Sequence, residues 1–130
     1  MDLDLKLVSK EVSEILWREG KTLSTAESCT AGRIAGAITS VPGSSNYFKG
    51  GLVCYADEVK ENLLGVSAEV IAEQTPVCEP VVRTMVEGCL KLFSTDYAVA
   101  IRGSAGRGGP DGGKAGVIVG TIWIAVGNAN

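Results

Sequence analysis

The sequence predicts an α/β fold of three layers, with helices on both faces of a sheet. Short, β-rich apolar runs alternate along the chain with longer stretches of helical periodicity. Turn chemistry separates them, and the 130 residues are enough for one domain, 1–130, with a real hydrophobic core.

The elements follow in order. Leu5, Val8, Val12, Ile15 and Leu16 recur at three- and four-residue steps, so a helix opens the chain and runs to about Glu19, where Gly20 ends it. A short strand is expected over 21–26. The next helix, 30–39, lines one face with Ile34, Ala35 and Ile38, and its small residues Ala31, Gly32, Ala35 and Gly36 permit close packing on a sheet. Val41-Pro42-Gly43-Ser44-Ser45 is a loop. Residues 51–55 read as a buried strand. Asp57 is placed to cap a helix reaching Leu64, and Gly65 to stop it. Helices are expected over 67–73 and 79–93, the second carrying Val82, Met85, Val86, Cys89 and Leu92 at helical spacing. A strand over 96–101, a glycine-rich loop over 102–116 and a strand over 117–126 complete the pattern.

Composition narrows the function. With 45% apolar and 21% charged residues the chain is globular rather than disordered. A net charge of −3 without a basic run argues against general nucleic-acid binding but leaves room for a single nucleotide. No apolar stretch approaches the length of a membrane span, and the charged N-terminus is not a signal peptide, so a cytoplasmic protein is expected. Cys29, Cys54, Cys78 and Cys89 lack the close pairing of a structural zinc site, and reduced, mostly buried thiols are the simpler reading. The chain contains no histidine, which removes Ser-His-Asp and Cys-His catalysis together. A hydrolase built on this sequence needs lysine, tyrosine or a carboxylate as its general base.

Three segments carry candidate chemistry. Thr25-Ala-Glu-Ser-Cys-Thr30 lies where a strand gives way to a helix, the carboxyl edge at which α/β folds bind ligands. Ser28 is presented there as a nucleophile, with the N–H groups of Cys29 and Thr30 available to an oxyanion. A plain helix cap is the competing reading of this segment. Lys60 falls in the first turn of its helix, where the macrodipole opposes an ammonium, and burial would lower its pKa further toward that of a usable base. Tyr55 precedes it, suited to relaying a proton or orienting the amine, although a surface lysine beside a half-buried tyrosine is the bland alternative. The third segment is the glycine-rich loop, whose amides can approach a phosphate; Arg102, Arg107 and Lys114 give it local positive charge. It is not a Walker A sequence, and a simple surface loop has the same composition.

Together these segments resemble the CinA C-terminal family, which includes stand-alone nicotinamide mononucleotide deamidases. The resemblance rests on T-A-E-S-C-T-A-G (25–32), V-P-G-S-S-N-Y-F-K-G-G (41–51), C-Y-A-D-E-V-K (54–60), L-L-G-V (63–66) and V-G-T-I-W-I-A (119–125). It implies an α/β/α sandwich with a mixed, mostly parallel sheet, and hydrolysis of the carboxamide of nicotinamide mononucleotide to nicotinate mononucleotide and ammonia. By motif position it implies Ser28 as nucleophile with Lys60 and Tyr55 as its partners, a scheme needing neither cofactor nor metal. Glu27, Ser44, Ser45 and the stretch Gly103, Ser104, Ala105 and Gly106 are then the candidates for holding ribose and phosphate, beside Cys29 and Thr30. A homodimer is the arrangement that the family often adopts. The chain departs from the family at Ala31, where glycine is usual, at Ala56-Asp57, where Ser-Asn is usual, and at Arg102, which replaces threonine in a lengthened loop. Family members usually continue beyond the position of Asn130 with a strand and a helix, so the domain is expected to be short at that end. A nucleotide-binding module without turnover and a partner-binding accessory domain are the alternative functions.

Overall fold

The computed structural model describes residues 3–67, 79–103 and 122–129. Helix α1 (Leu3–Glu19) leads into strand β1 (Leu23–Glu27), followed by helix α2 (Arg33–Thr39), a single 3-10 turn at Ser44–Asn46 and strand β2 (Phe48–Val53). Helix α3 (Asp57–Leu64), helix α4 (Glu79–Phe93), strand β3 (Tyr97–Gly103) and strand β4 (Ile122–Asn128) complete the described elements. The sheet order is β2-β1-β3-β4, with β1 parallel to both β2 and β3 and β4 antiparallel to β3. The expected mixed, mostly parallel sheet is therefore present.

Strand periodicity builds the layers. Along β3, Ala98 and Ala100 enter a core with Leu64, Val81, Val82, Met85, Val86 and Cys89 from α3 and α4. Tyr97 and Val99 point the other way, toward Leu16 of α1 and Ile38 of α2. Central β1 is buried along its whole length, as a strand covered on both faces should be. The apolar stripe of α1 is only partly covered: Leu16 is buried, whereas Val8 is 55% exposed and Ile15 45%.

Glycine sets two of the helix ends as expected. Gly20 (φ 64°) follows α1, and the Lys21 N–H donates back to the Leu16 carbonyl at 3.1 Å. Gly65 (φ 71°) stops α3. Between α3 and α4, a Cβ at Gly88 would collide with the backbone of Leu64, so glycine lets the two helices touch main chain to side.

Several boundaries differ from expectation. β2 begins at Phe48 rather than 51 and is a sheet edge with alternating exposure, not a buried strand, although Cys54 just beyond it is buried. Asp57 is the first residue of α3 and not its cap, a place taken by Ala56 without a side-chain bond. β3 extends through Arg102 and Gly103, because pairing with β4 holds them in the ladder. Ser67 is not helical, while 68–73, the loop from 104 and the start of the strand expected at 117 lie outside the described residues.

The helix expected from Thr30 starts at Arg33. Ala31 (φ 53°) and Gly32 (φ 91°) occupy the left-handed region, which a right-handed helix cannot include. An L-residue there costs about 1–2 kcal/mol, against roughly 0.5–1 kcal/mol for the extra chain entropy of glycine. Ala31→Gly should therefore stabilise the protein by about 0.5–1 kcal/mol, read as a higher urea midpoint. A lower midpoint would contradict this backbone assignment.

Asp96 joins the starts of β1 and β3, its Oδ2 accepting from the Thr22 N–H at 2.8 Å and the Thr22 hydroxyl at 2.9 Å. Those two bonds, backbone first, hold its carboxyl below the usual carboxylate range. A depressed folded pKa stabilises the fold above the unfolded value, about 3.9, and the contribution disappears as pH falls through the folded value. The melting-temperature gap between wild type and Asp96→Asn should accordingly be present at pH 7 and shrink below about pH 4.

Candidate active site

The parallel strands β1, β2 and β3 end together at one edge of the sheet, with Glu27 level with Val53 and Ala26 level with Ala100. One residue past β1 stands Ser28, and near the end of β3 stands Arg102. In α3, which follows β2 directly, Lys60 occupies the first turn and turns back under the same edge. Ser28 and Lys60 are 0% exposed and Arg102 is 3% exposed. Topology thus gathers a hydroxyl and two cations from three separate stretches of chain.

Arg102 Nη1 donates to Ser28 Oγ at 2.8 Å. Asp57 lies between the two cations: its Oδ1 is 3.7 Å from Lys60 Nζ and 4.0 Å from Arg102 Nη2. Lys60 Nζ also donates to the Tyr55 carbonyl at 3.1 Å. Removing an amine and a guanidinium from water is costly, and the half-exposed Asp57 carboxylate offsets part of that cost for both. Behind them sits Cys54, whose thiol donates to the Glu27 carbonyl at 3.4 Å. Burial pushes the Cys54 thiol up, against the pull of the Lys60 and Arg102 charges. Both cations therefore act on one small region under Ser28.

The other residues singled out from the sequence fall into distinct places. Tyr55 meets Lys60 through its carbonyl, while its side chain is 58% exposed. Cys29 and Thr30 are half-buried in the turn after Ser28, which closes through the Ala31 N–H on the Ser28 carbonyl at 3.0 Å. The sequence places their N–H groups in the first turn of the following helix, but they belong to this turn, because α2 begins only at Arg33. Glu27 is 1% exposed and faces α2. Its Oε1 accepts from the Ile34 N–H at 2.8 Å and the Thr30 hydroxyl at 2.7 Å, and its Oε2 from the Ala35 N–H at 3.0 Å. These bonds occupy both carboxylate oxygens and fix the start of α2, which makes Glu27 a support beneath the site.

Ser44 and Ser45 are not brought to Ser28 by this chain. They form the turn before β2, beside the opposite end of β1, where the Leu23 N–H donates to the Tyr47 carbonyl at 2.8 Å. The length of β1 separates them from Ser28, roughly 16 Å for five strand residues. Gly103 is buried next to Arg102 at the site edge, whereas Ala105 and Gly106 lie outside the described residues. No cluster of metal-binding side chains occurs among the described residues.

Sequence reasoning placed Arg102 in a loop and Asp57 at a helix cap, and so missed both as members of this cluster. A usable signal existed for the first. Arg102 directly follows the apolar run Tyr97-Ala-Val-Ala-Ile101, and a charge at the carboxyl end of a central parallel strand faces the ligand edge.

The chain is similar along nearly its whole length to known proteins. The chain is 44% identical over 128 residues to the nicotinamide-nucleotide amidohydrolase PncC of Escherichia coli K12, covering 98% of this chain and 76% of that protein. It is 46% identical over 123 residues to a CinA-like protein of Gemmatimonas aurantiaca, of which it covers 28%. Among solved structures, the competence/damage inducible protein CihA of Agrobacterium tumefaciens superposes with a TM-score of 0.91 at 34% identity, over all of this chain and 79% of that one. The competence damage-inducible protein A of Klebsiella pneumoniae gives 0.88 at 37% identity, over 95% of this chain and 75% of that one. The model of the CinA C-terminal domain matches residues 5–130, and the chain belongs to that family.

Proposed function

We propose that this protein hydrolyses the carboxamide of nicotinamide mononucleotide, releasing ammonia and nicotinate mononucleotide, with Ser28 as nucleophile and Lys60 as base. The observation that carries the reading is the cluster of buried Ser28, Lys60 and Arg102, joined by the half-exposed Asp57, at the carboxyl edge of the sheet. The named activity of the Escherichia coli relative supports the substrate. A chain without histidine needs another base, and Lys60, buried in the cluster with Ser28, is the amine that the reading assigns to that role.

In this scheme neutral Lys60 takes the Ser28 proton as Oγ attacks the amide carbon. The N–H groups of Cys29 and Thr30, in the turn that follows, are the donors this scheme assigns to the developing oxyanion. Lys60 returns the proton to the departing ammonia, and Tyr55 holds the amine in place through its carbonyl. Water then cleaves the acyl-enzyme. Ammonia release from nicotinamide mononucleotide tests the reading. Nucleotide binding without ammonia would leave a binding domain in its place, and neither binding nor release would favour the partner-binding alternative.

A further inference from the structure

An arginine side chain only donates hydrogen bonds and keeps its charge throughout the working pH range. In the 2.8 Å contact between Arg102 Nη1 and Ser28 Oγ, the serine oxygen is therefore the acceptor, and its hydroxyl hydrogen points elsewhere. Both groups are sealed from water, where a fixed cation acts far more strongly than it does at a surface. Arg102 also stands in the sheet ladder, opposite Trp123 of β4, so its backbone is held by pairing. A rigid, buried, permanent charge is thus aimed at the atom assigned the attack.

We propose that Arg102 is a catalytic residue of the Ser28 reaction, the charged donor that stabilises the oxyanion formed when Ser28 attacks a carbonyl. The proposal deepens the reading above and rests on Ser28 being the nucleophile. During attack, an Oγ lone pair forms the new C–O bond, the carbonyl π pair moves onto its oxygen, and the Oγ proton passes to Lys60 Nζ. The oxyanion and Oγ are then bonded to the same carbon, so a guanidinium already on Oγ reaches the new charge with a small shift. Its fork of donors can hold both oxygens at once. As the intermediate collapses, the pair returns to the carbonyl, the C–N bond breaks, and ammonia leaves with the proton from Lys60.

The test combines ammonia release from nicotinamide mononucleotide with phosphonylation of Ser28 by a fluorophosphonate, in which an Oγ–P bond replaces P–F and fluoride leaves. Arg102→Met, which keeps volume but removes charge and donors, should lower kcat about 100-fold with little change in KM, and slow phosphonylation comparably. Arg102→Lys should recover part of both rates, remaining about tenfold below wild type because the fork is lost. Thermal melts accompany each variant. If Arg102→Met fails to fold, wild-type rates in a folded Arg102→Lys overturn the proposal. Wild-type rates in a folded Arg102→Met, with Ser28→Ala inactive, overturn it and leave the amidohydrolase reading standing. Faster reaction without the guanidinium also overturns it, since Arg102 would then obstruct Ser28. Arg102-dependent phosphonylation in a protein that releases no ammonia would uphold the proposal and remove the nucleotide substrate. Absence of both reactions in wild type would overturn both.

Discussion

Ser28→Ala should lower kcat for ammonia release from nicotinamide mononucleotide by at least about 10⁴-fold, because it removes the only atom that forms the covalent bond. The fold should survive. The lost hydroxyl leaves one hydrogen bond of the Arg102 guanidinium unmade, worth about 1–2 kcal/mol, so a modest fall in melting temperature is the structural cost. Lys60→Met, which retains the length of the buried stem, should show a loss of similar order. The double variant should be no worse than Ser28→Ala alone, since two groups that act in one step are not additive. Steady-state ammonia assays on the three variants check all of this. Turnover persisting in Ser28→Ala would end the assignment of the nucleophile, and losses that multiply in the double variant would separate Lys60 from the Ser28 step.

Glu27→Ala should act through the other route, losing stability on the order of 3–5 kcal/mol. Three donors lose a buried carboxylate at once: the N–H groups of Ile34 and Ala35 and the hydroxyl of Thr30. Bonds to an ionised acceptor are worth about 1.5–3 kcal/mol each, and shared geometry makes their sum less than additive. Glu27→Gln should recover only part of the loss, because its amide turns a donor toward donors. Urea titration measures the effect. A ribose-binding role for Glu27 predicts the opposite signature, a raised KM at unchanged stability.

Local features of the sequence transferred to the structure where local physics decides them. Glu79–Phe93 is a helix over the interval its periodicity indicates, and Gly20 and Gly65 end helices where only glycine is comfortable. Ser28 and Lys60 were legible as candidates because the motifs containing them are contiguous. The misplacements share a cause, which is contact between distant parts of the chain. Phe48-Lys-Gly-Gly is a poor strand by propensity, and pairing with β1 makes it one. The left-handed turn at Ala31 carries no mark in a non-glycine residue. Arg102 looked like loop because glycines follow it, and the ladder to β4 made it strand. That Ser44 and Ser45 lie at the other end of β1 follows from the path of α2, which no spacing along the sequence reveals. Membership of the CinA C-terminal family was legible because motif order and spacing persist along nearly the whole chain.

The antiparallel pairing of β3 and β4 has an evolutionary corollary. Gly103 pairs with Ile122, so these two positions, far apart in the sequence, stand side by side near the sheet edge that holds Ser28. A connection between anchors held side by side can lengthen cheaply, since each doubling of loop length adds only about 0.6 kcal/mol of closure entropy. Insertions and deletions between the two anchors would leave the β3–β4 ladder in register. Descendants of one ancestral domain could in this way differ in length between β3 and β4 without rebuilding the sheet edge that carries Ser28.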